Sequence, residues 1–257
     1  MTGTRPLSLA FLTLALASGP TGAWSLNCSH SAERKASIDT SGAERIEIIA
    51  RAGDLTVRPA TGSSVVAEGR ACASSEAYLA QTQVQTRRQG NVVQVFVQVP
   101  DEVTGIAMLH ASLDLTVQVP ASLPTEVTDT SGDVTLENVR VTRLTDSSGD
   151  ITARGLLGDI EISDSSGDID VEDAAGLVRI VDSSGDIGIH GARDVLIPND
   201  SSGDINIERV SGNVRIESDS SGDISIARVG QNVEIVADST GDVHVSDVKG
   251  TVRIPKQ

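Results

Sequence analysis

Short segments in which every second residue is apolar run through the C-terminal half of the chain. Residues 205–207 read Ile-Asn-Ile, 214–216 Val-Arg-Ile, 224–226 Ile-Ser-Ile and 233–235 Val-Glu-Ile. An alternation of period two places the apolar side chains on one face of a β-strand. Turns that contain glycine separate these segments, and no helical periodicity competes with them between residues 126 and 257. The pattern therefore predicts short strands joined by tight turns.

One six-residue phrase occurs seven times in this half of the chain. It reads DTSGDV once, DSSGDI five times and DSTGDV once, and successive copies begin 17, 18, 18, 18, 19 and 19 residues apart. The copies begin at Asp129, Asp146, Asp164, Asp182, Asp200, Asp219 and Asp238. A fixed short period is typical of stacked structural units. We therefore predict an all-β fold, a flattened parallel β-solenoid whose coils of about 18 residues stack roughly 4.8 Å apart.

The predicted coils bury two walls of apolar side chains. The wall that follows the repeated phrase consists of Ile169/Val171, Ile187/Ile189, Ile205/Ile207, Ile224/Ile226 and Val243/Val245. The opposite wall consists of Ile160/Ile162, Val178/Ile180, Val214/Ile216, Val233/Ile235 and Val252/Ile254. The glycine of each phrase, such as Gly203, fits a turn position that requires a positive φ.

The outward positions of the second wall alternate in charge from coil to coil. They are Glu161, Arg179, Arg215, Glu234 and Arg253, with a break near Leu196. Opposite charges on adjacent coils would pair along the rod, which supports the proposed register. The segment 191–199 is irregular and contains Pro198, which cannot donate to a strand ladder, so we expect a bulge or loop there.

The preceding residues, 24–125, lack a clear repeat but also have a β pattern. Strands are predicted at 45–51, 53–58, 65–69, 82–88, 92–99 and 112–119. A hairpin turn is expected at 89–91 and one helical turn at 75–81, while 39–42 and 53–57 resemble the repeat. We expect this region to cap and extend the solenoid, because a stack of coils needs an atypical terminal unit. At the other end, Pro255 and Lys256 are expected to blunt the final strand.

The first residues are typical of an export signal. Arg5 precedes a short apolar stretch, Leu7 to Ala17, and a cleavage site fits near Ala23. The stretch is too short to span a bilayer, and no lipid-attachment box precedes Cys28, so no membrane insertion is expected after removal of the signal. The predicted organisation is a signal peptide at 1–23, an N-terminal β region at 24–125 and the solenoid repeats at 126–257. The expected location is the periplasm or the cell surface.

Charge and composition restrict the partners. The formal net charge is −16, and an acidic surface repels nucleic acid and anionic lipid while it attracts cations or basic surfaces. Aromatic residues make up only 2% of the chain, so Ile and Val must fill the core.

The chain has two cysteines, Cys28 and Cys72. An even pair in an exported protein usually forms a disulfide, which would tie the mature N-terminus to a later strand. Two free thiols or a metal site are the alternatives. The metal site is disfavoured because neither cysteine belongs to a Cys-x-x-Cys spacing and the four histidines are scattered.

The segment 113–136, LDLTVQVPASLPTEVTDTSGDVTL, combines a strand, Val-Pro and the onset of the repeat. With an export signal before it and SGDI repeats after it, the chain resembles bacterial exported β-strand-repeat proteins of unknown function that are labelled putative adhesins. The resemblance covers about residues 30–257. It implies a β-helix-like exported protein with no defined enzymatic activity, and it assigns no functional residues.

Stacking places two aspartate columns at one corner of the predicted rod. One starts each phrase, and the other follows each glycine. Candidate ligands for Ca²⁺ are Asp146, Asp150, Asp164, Asp168, Asp182, Asp186, Asp200, Asp204, Asp219 and Asp223. The alternative is local turn chemistry, in which Asp and Ser side chains accept main-chain N–H bonds. The chain lacks the tandem G-G-x-G of calcium β-rolls, and its aspartate directly follows the glycine.

No catalytic constellation stands out from the repeat. Sugar-cleaving β-helices need a distinct pair of carboxylates in a cleft, whereas these carboxylates form a uniform row. His30, His110, His190 and His244 share no spacing with a nucleophile. The leading hypothesis is a non-catalytic structural, adhesion or interaction role in the cell envelope, with an unidentified envelope or surface protein or glycan as partner and no cofactor other than possible Ca²⁺. A polysaccharide-acting enzyme is the remaining alternative.

Overall fold

The computed structural model describes residues 28–100 and 110–255, which form strands, turns and one short helix, α1 Glu76–Gln81. The strands before the repeats are β1 His30–Asp39, β2 Arg45–Ile49, β3 Leu55–Pro59, β4 Ser64–Ala73, β5 Gln83–Gln89, β6 Val92–Gln98 and β7 Ala111–Val119. The strands of the repeats are β8 Thr125–Thr128, β9 Val134–Glu137, β10 Val141–Thr145, β11 Ile151–Arg154, β12 Ile160–Ser163, β13 Ile169–Glu172, β14 Leu177–Val181, β15 Ile187–Ala192, β16 Asp194–Asn199, β17 Ile205–Val210, β18 Val214–Ile216, β19 Ile224–Val229, β20 Val233–Ile235, β21 Val243–Val248 and β22 Val252–Arg253.

The strands form two eleven-stranded sheets, and each coil of the repeat contributes one strand to each sheet. Sheet A has the order β1-β4-β7-β3-β9-β11-β13-β15-β17-β19-β21, and sheet B has the order β22-β20-β18-β16-β14-β12-β10-β8-β2-β6-β5. From β8 onward all pairings are parallel, because every coil travels in the same direction as the one before it. The predicted flattened parallel β-solenoid is confirmed.

The core lies between the two sheets. The predicted inward pairs from Ile160/Ile162 to Val233/Ile235 are no more than 2% exposed. Each residue stacks on its equivalent in the next coil, so that Ile187 pairs with Ile205 and Ile205 with Ile224. Full burial of one such side chain contributes about 1.5–3 kcal/mol. Stacked Ile and Val side chains therefore replace the aromatic residues that this chain lacks.

The prediction is wrong for the last coil. Val252 and Ile254 are 45% and 43% exposed, and Val243 and Val245 are only partly buried. These residues follow the same alternation as their equivalents, but no further strand of the described residues lies against their outer side. Burial of an inward position thus depends on coils on both sides.

The corner that follows each sheet B strand is built around glycine. Gly185 and Gly203 both have φ +135°, a left-handed value that side chains other than glycine rarely adopt. A Cβ atom on Gly203 would lie only 1.9 Å from the carbonyl oxygen of Gly185 in the preceding coil. The residue must therefore be glycine for two reasons, its backbone conformation and the close approach of the neighbouring coil.

The opposite corner also uses a left-handed residue, but here glycine is not required. Arg209 and Arg228 both have φ +59°, and Asn138, Asp173 and Asp247 occupy the same region at +53° or +54°. Side chains are present here and contact adjacent coils, as Arg209 donates to the carbonyl of His190 in the preceding coil, although the left-handed conformation is costly for arginine.

The irregular coil and the charge alternation agree with the predictions. The register between β14 and β16 shifts after Arg179, because β16 contains one residue more, which confirms the bulge at Pro198. In sheet B, Glu161 lies 3.3 Å from Arg179, and Glu234 pairs with Arg215. These pairs are partly exposed and contribute only a few tenths of a kcal/mol each, so they support the register more than the stability.

The N-terminal region forms strands of the same two sheets, but not in chain order. The coil made by β6 and β7 lies outside the coil made by β2 and β3, which in turn pairs with β8 and β9. The chain therefore passes from β7 to β8 across the earlier coil. Strand β4 pairs with β7, and β1 with β4, in antiparallel fashion. The predicted strands, the hairpin turn between β5 and β6 and the short helix are all present.

Strand β1 is not predicted from the sequence. It alternates between half-buried and exposed positions and contains no fully buried residue. Its sequence, HSAERKASID, offers little of the apolar alternation that identifies the other strands, because an edge strand with solvent on one side needs fewer apolar residues.

The disulfide between Cys28 and Cys72 is present, with the Cα atoms 5.4 Å apart, which confirms the predicted bridge. It joins the segment before β1 to β4, the strand with which β1 pairs. The predicted signal peptide lies outside the described residues. The single helix within 28–100 and 110–255, with its six residues, is too short to cross a membrane.

We expect Gly203→Val to destabilise the solenoid by at least about 2 kcal/mol, through backbone strain and the clash with Gly185. The matched control is Asn206→Val on the exposed face of β17, where the change should stay within about 0.5 kcal/mol. Urea unfolding followed by circular dichroism measures both variants. Equal losses of stability would show that the glycine corner does not limit the stacking.

Candidate functional site at the aspartate corner

The repeated phrase forms one corner of every coil, between a strand of sheet B and the following strand of sheet A. Aspartate, serine and glycine favour such turns, because the side chains bond to nearby main chain and glycine adopts a positive φ. The inner aspartate column is the first aspartate of each phrase: Asp129, Asp146, Asp164, Asp182, Asp200, Asp219 and Asp238. The outer aspartate column is the aspartate after each glycine: Asp133, Asp150, Asp168, Asp186, Asp204, Asp223 and Asp242.

The structure brings both columns to one corner, as the sequence predicts, but gives them opposite environments. From Asp129 to Asp219 the inner carboxylates are at most 5% exposed, and Asp238 in the last coil is partly buried. All seven outer aspartates are exposed to solvent. The ten candidate calcium ligands are therefore divided between the interior and the surface.

The outer aspartate column is a continuous series of hydrogen bonds along the rod. The main-chain N–H of Asp186 donates to Oδ1 of Asp168 at 2.9 Å, and that of Asp204 donates to Oδ1 of Asp186 at 2.8 Å. The same bond recurs in every coil from Asp133 to Asp242, with donor–acceptor distances of 2.8–3.0 Å. Each outer carboxylate therefore holds the backbone of the next coil.

This bond explains how like charges can be stacked. Two carboxylates roughly 4.8 Å apart repel each other by about 0.9 kcal/mol in bulk water. A hydrogen bond to a charged group contributes about 1.5–3 kcal/mol. The N–H bond at each step therefore outweighs the repulsion between neighbouring coils.

The outer column continues into the N-terminal region. Asp54 accepts from the N–H of Asp133, and Asp114 accepts from the N–H of Asp54, both at 3.2 Å. The resemblance of 53–57 to the repeat indicates the place of Asp54, whereas Asp114 is not predicted from the sequence. A shared tetrapeptide could have identified it, because Asp-Leu-Thr-Val occurs at both 54–57 and 114–117.

The inner carboxylates are bonded only in part. The N–H of Ser147 donates to Oδ1 of Asp146, and that of Ser183 donates to Oδ1 of Asp182, both at 2.7 Å. These two bonds follow the predicted turn chemistry. Among the described residues, neither oxygen of Asp129, Asp164, Asp200 or Asp219 has a hydrogen-bond partner of ordinary geometry, although main-chain N–H groups of the following residues lie close enough to lower the pKa. A buried polar group without a partner is costly, and the cost is larger when it is charged.

Burial accordingly raises the pKa of the inner carboxyls. It is the largest cause at every inner aspartate from Asp129 to Asp219, and it raises the pKa of Asp129 to about 7 and those of Asp182 and Asp200 to about 6. The charges of Asp182 and Asp219 on either side raise the pKa of Asp200 further, while nearby main-chain N–H groups oppose the rise. Part of the inner column is therefore protonated at mildly acidic pH.

The hydroxyl groups of the corner bond in the opposite sense to the predicted one. Ser184 donates to the carbonyl of Ser165, and Ser202 donates to that of Ser183, at 3.1 and 3.3 Å. The hydroxyls thus act as donors between adjacent coils and not as acceptors within their own turn. They add a third series of bonds beside the glycine and outer aspartate contacts.

The described residues offer little geometry for metal binding or catalysis. Within 28–100 and 110–255 no group of three or more His, Cys, Asp or Glu side chains is arranged to hold a metal ion. Calcium binding by the aspartate corner therefore stays a prediction. The histidines lie on separate elements, with His30 in β1, His110 before β7, His190 in β15 and His244 in β21. His190 lies 3.9 Å from Glu208, its neighbour on the next coil.

Comparison with solved structures finds several that are similar to this chain. A putative adhesin from Bacteroides fragilis NCTC 9343 matches with a TM-score of 0.51 and 13% identity, over 88% of this chain and 98% of that chain. A putative cell adhesion protein from Clostridium sporogenes ATCC 15579 gives 0.39 and 11%, over 84% and 99%. A putative lipid binding protein from Parabacteroides distasonis ATCC 8503 gives 0.43 and 14%, over 87% and 97%.

The likeness to proteins named as adhesins agrees with the resemblance stated from the sequence. At these identities it establishes the fold alone. No protein-family model matches the sequence, and no curated protein does.

The inner column gives the stability an unusual pH dependence. An aspartate in an unfolded chain has a pKa of about 3.9. Below that pH the inner carboxyls are protonated in both the folded and the unfolded state. Between that value and the folded values of about 6 to 7, the unfolded chain has lost these protons while the folded chain keeps them. Rising pH therefore favours unfolding, and stability should fall between about pH 4 and pH 7.

Urea unfolding at pH 5 and pH 8 tests this expectation. Asp182→Asn keeps the acceptor for Ser183 and removes the charge, so it should reduce the difference between the two pH values by on the order of 2 kcal/mol. Asp186→Asn, in the exposed column, is the matched control and should leave the difference unchanged. A wild-type protein that is more stable at pH 8 than at pH 5 would contradict the assignment of raised pKa values to the inner column.

Proposed function

We propose that this protein is an exported, non-catalytic component of the cell envelope that acts by adhesion or another binding interaction, and that the outer aspartate column is its recognition surface. The observation that carries this proposal is the straight, exposed row of carboxylates bonded from coil to coil. The disulfide between Cys28 and Cys72 agrees with an oxidising compartment outside the cytoplasm.

The outer aspartate column suits recognition because it is already ordered before a partner arrives. Each carboxylate uses Oδ1 to accept the N–H of the next coil, as Asp204 does from Asp223 at 2.8 Å. This bond limits side-chain motion, so little conformational entropy remains to be lost on binding. The second oxygen, Oδ2, is left for a donor on the partner.

The partner should present basic groups at a regular spacing. The net charge of −16 would steer such a surface toward the rod and repel nucleic acid and anionic lipid. The chemistry fits a basic envelope or surface protein, or a glycan that carries amino groups.

A catalytic role receives less support. Hydrolysis of a glycan requires two carboxylates with different protonation tasks in one cleft, whereas the outer carboxylates are alike in exposure and bonding. The Bacteroides fragilis protein that shares the fold is named a putative adhesin.

A charge-matched pair of variants tests the recognition surface. The triple variant Asp168→Asn/Asp186→Asn/Asp204→Asn keeps the acceptors and removes three charges from the outer aspartate column. The control Glu44→Gln/Asp170→Asn/Glu217→Gln removes three charges elsewhere. With a fluorescent oligolysine peptide as probe, the first variant should bind at least about tenfold more weakly and the control about as well as the wild type. Equally weakened binding of the probe in both variants would show that net charge alone causes the effect, and it would exclude the outer aspartate column as a specific recognition surface.

Protease accessibility on intact cells tests in which compartment the protein lies. Digestion while a periplasmic marker survives would place it on the cell surface, in agreement with adhesion. Protection until the outer membrane is opened would make it a periplasmic binding protein. Digestion only after the cytoplasm is opened would contradict export.

Calcium binding at the aspartate corner is a second candidate function. The specific observation in its favour is the set of buried inner carboxylate oxygens without partners, since oxygen ligands of this kind suit Ca²⁺. Against it stands the absence of any three-ligand cluster in 28–100 and 110–255. Bound Ca²⁺ should raise the melting temperature relative to chelator at fixed ionic strength. Identical melting curves would exclude this function.

A further inference from the structure

The C-terminal end of the solenoid is open. Strand β21 is the last strand of sheet A and β22 the last of sheet B in the described residues. Both carry main-chain N–H and C=O groups on an edge that no described strand covers, and an edge of this kind readily accepts another strand. The apolar side chains of the last coil are exposed there as well, Val252 by 45% and Ile254 by 43%.

The other end of the solenoid is closed. The antiparallel strands β1 and β4 cover β7 in sheet A, and β5 covers β6 in sheet B. Arg34 of β1 donates to the carbonyls of Leu79 in α1 and Thr82, the residue before β5, at 2.6 and 2.7 Å, which ties β1 to the segment that leads into sheet B. Strands β1 and β5 are the edges of this end, but they lie against each other, with the hydroxyl of Thr86 donating to the carbonyl of Ser37 at 3.4 Å. This end therefore leaves no gap between the sheets for the apolar side chains of a last coil, which disfavours head-to-tail stacking.

A partner that covers the open end must supply two strands at once. One strand must extend sheet A and the other sheet B, about 10 Å away, and their apolar side chains must point toward each other. The open end of a second copy has this geometry, because it is itself such a coil. We propose that this protein forms a two-fold dimer in which β21 pairs antiparallel with β21, and β22 with β22, of a second copy.

The apolar faces determine the register of this pairing. Opposed residues in an antiparallel pair lie on the same face of the sheet, so inward residues must meet inward residues. When His244 opposes His244 of the second copy, Val243 opposes Val245 on both sides of the axis. The same arrangement in β22 places Val252 opposite Ile254. These four apolar residues, which are exposed or half-buried in the single chain, then become buried.

The distribution of charge favours association of two copies through this end over association through the sides of the rod. Residues 238–255 contain Asp238, Asp242, Asp247, Lys249 and Arg253 and carry a net charge of −1, whereas 164–181 carry −4 and each coil between them carries −2. A two-fold axis perpendicular to the sheets also reverses the strand direction. The two outer aspartate columns therefore lie on opposite edges of the dimer, so their mutual repulsion is small.

Pro255 does not prevent this pairing. It lacks an N–H group, but it follows β22, and the N–H groups of Val252 to Ile254 precede it. Any blunting of the edge by Pro255 is therefore limited to its own position, and Lys256, the other residue of that prediction, lies outside the described residues.

Sedimentation velocity over a concentration series tests the dimer. Val252→Lys places a charge in the proposed dimer interface and should weaken association at least about tenfold. Leu157→Lys is the matched control, since Leu157 is also 45% exposed but lies between β11 and β12, and it should dimerise like the wild type. A monomeric wild type at all concentrations, or a dimer that Val252→Lys leaves intact, would overturn the proposal.

A cross-linking experiment tests the register and does not depend on how Val252→Lys folds. His244→Cys adds one thiol to a chain whose own cysteines are paired. Opposed residues lie about 4.5–5.5 Å apart at Cα, within the range of a disulfide, so mild oxidation should give a covalent dimer. His190→Cys, on the same sheet three coils away, should stay monomeric on denaturing gels. Failure of His244→Cys to cross-link, or equal cross-linking of both variants, would exclude this pairing.

Discussion

The contact between corner glycines in successive coils governs the register of the whole solenoid. A Cβ atom on Gly167, Gly185 or Gly203 would lie 1.9 Å from the carbonyl oxygen of the glycine one coil earlier. Only glycine opposite glycine permits this approach, so the coils cannot slide past one another by a residue. Every other repeated position must then stack on its equivalent, including the Ile and Val columns of the core and both aspartate columns.

This register creates an electrostatic problem that the two aspartate columns solve differently. The outer aspartates remain in water and accept a main-chain N–H from the next coil, as Asp186 does from Asp204 at 2.8 Å. The inner aspartates are buried, and the pKa of Asp200 rises to about 6. On the outward face of sheet B the repeats mostly alternate in charge, because Arg179 follows Glu161 and Glu234 follows Arg215 from coil to coil. A like pair does occur where Glu47 lies opposite Glu126, but among the described residues it is the corner that stacks carboxylates in every coil of the repeat.

The sequence was most informative where structure is local and repeated. Period-two alternation identified the strands, Pro198 the bulge in β16, and Cys28 and Cys72 the disulfide. Strand β1 was missed because its pairing partner, β4, supplies the stability that its own composition lacks. Asp114 was missed because it joins the outer aspartate column only through the order of the N-terminal coils, in which β7 lies next to β3.

The amino-acid sequence by itself determined the coil, its inward faces, its glycine corner and the alternation of charge, because each of these repeats within about 19 residues. Only the tertiary structure decided which carboxylates are buried, how the N-terminal strands are ordered and which end of the rod is open. Inner and outer aspartates are the same residue type four positions apart, and the difference between them depends on which way each faces once the coils are stacked. Val252 likewise obeys the same alternation as Val233, yet it is exposed because no further strand of the described residues lies beyond it.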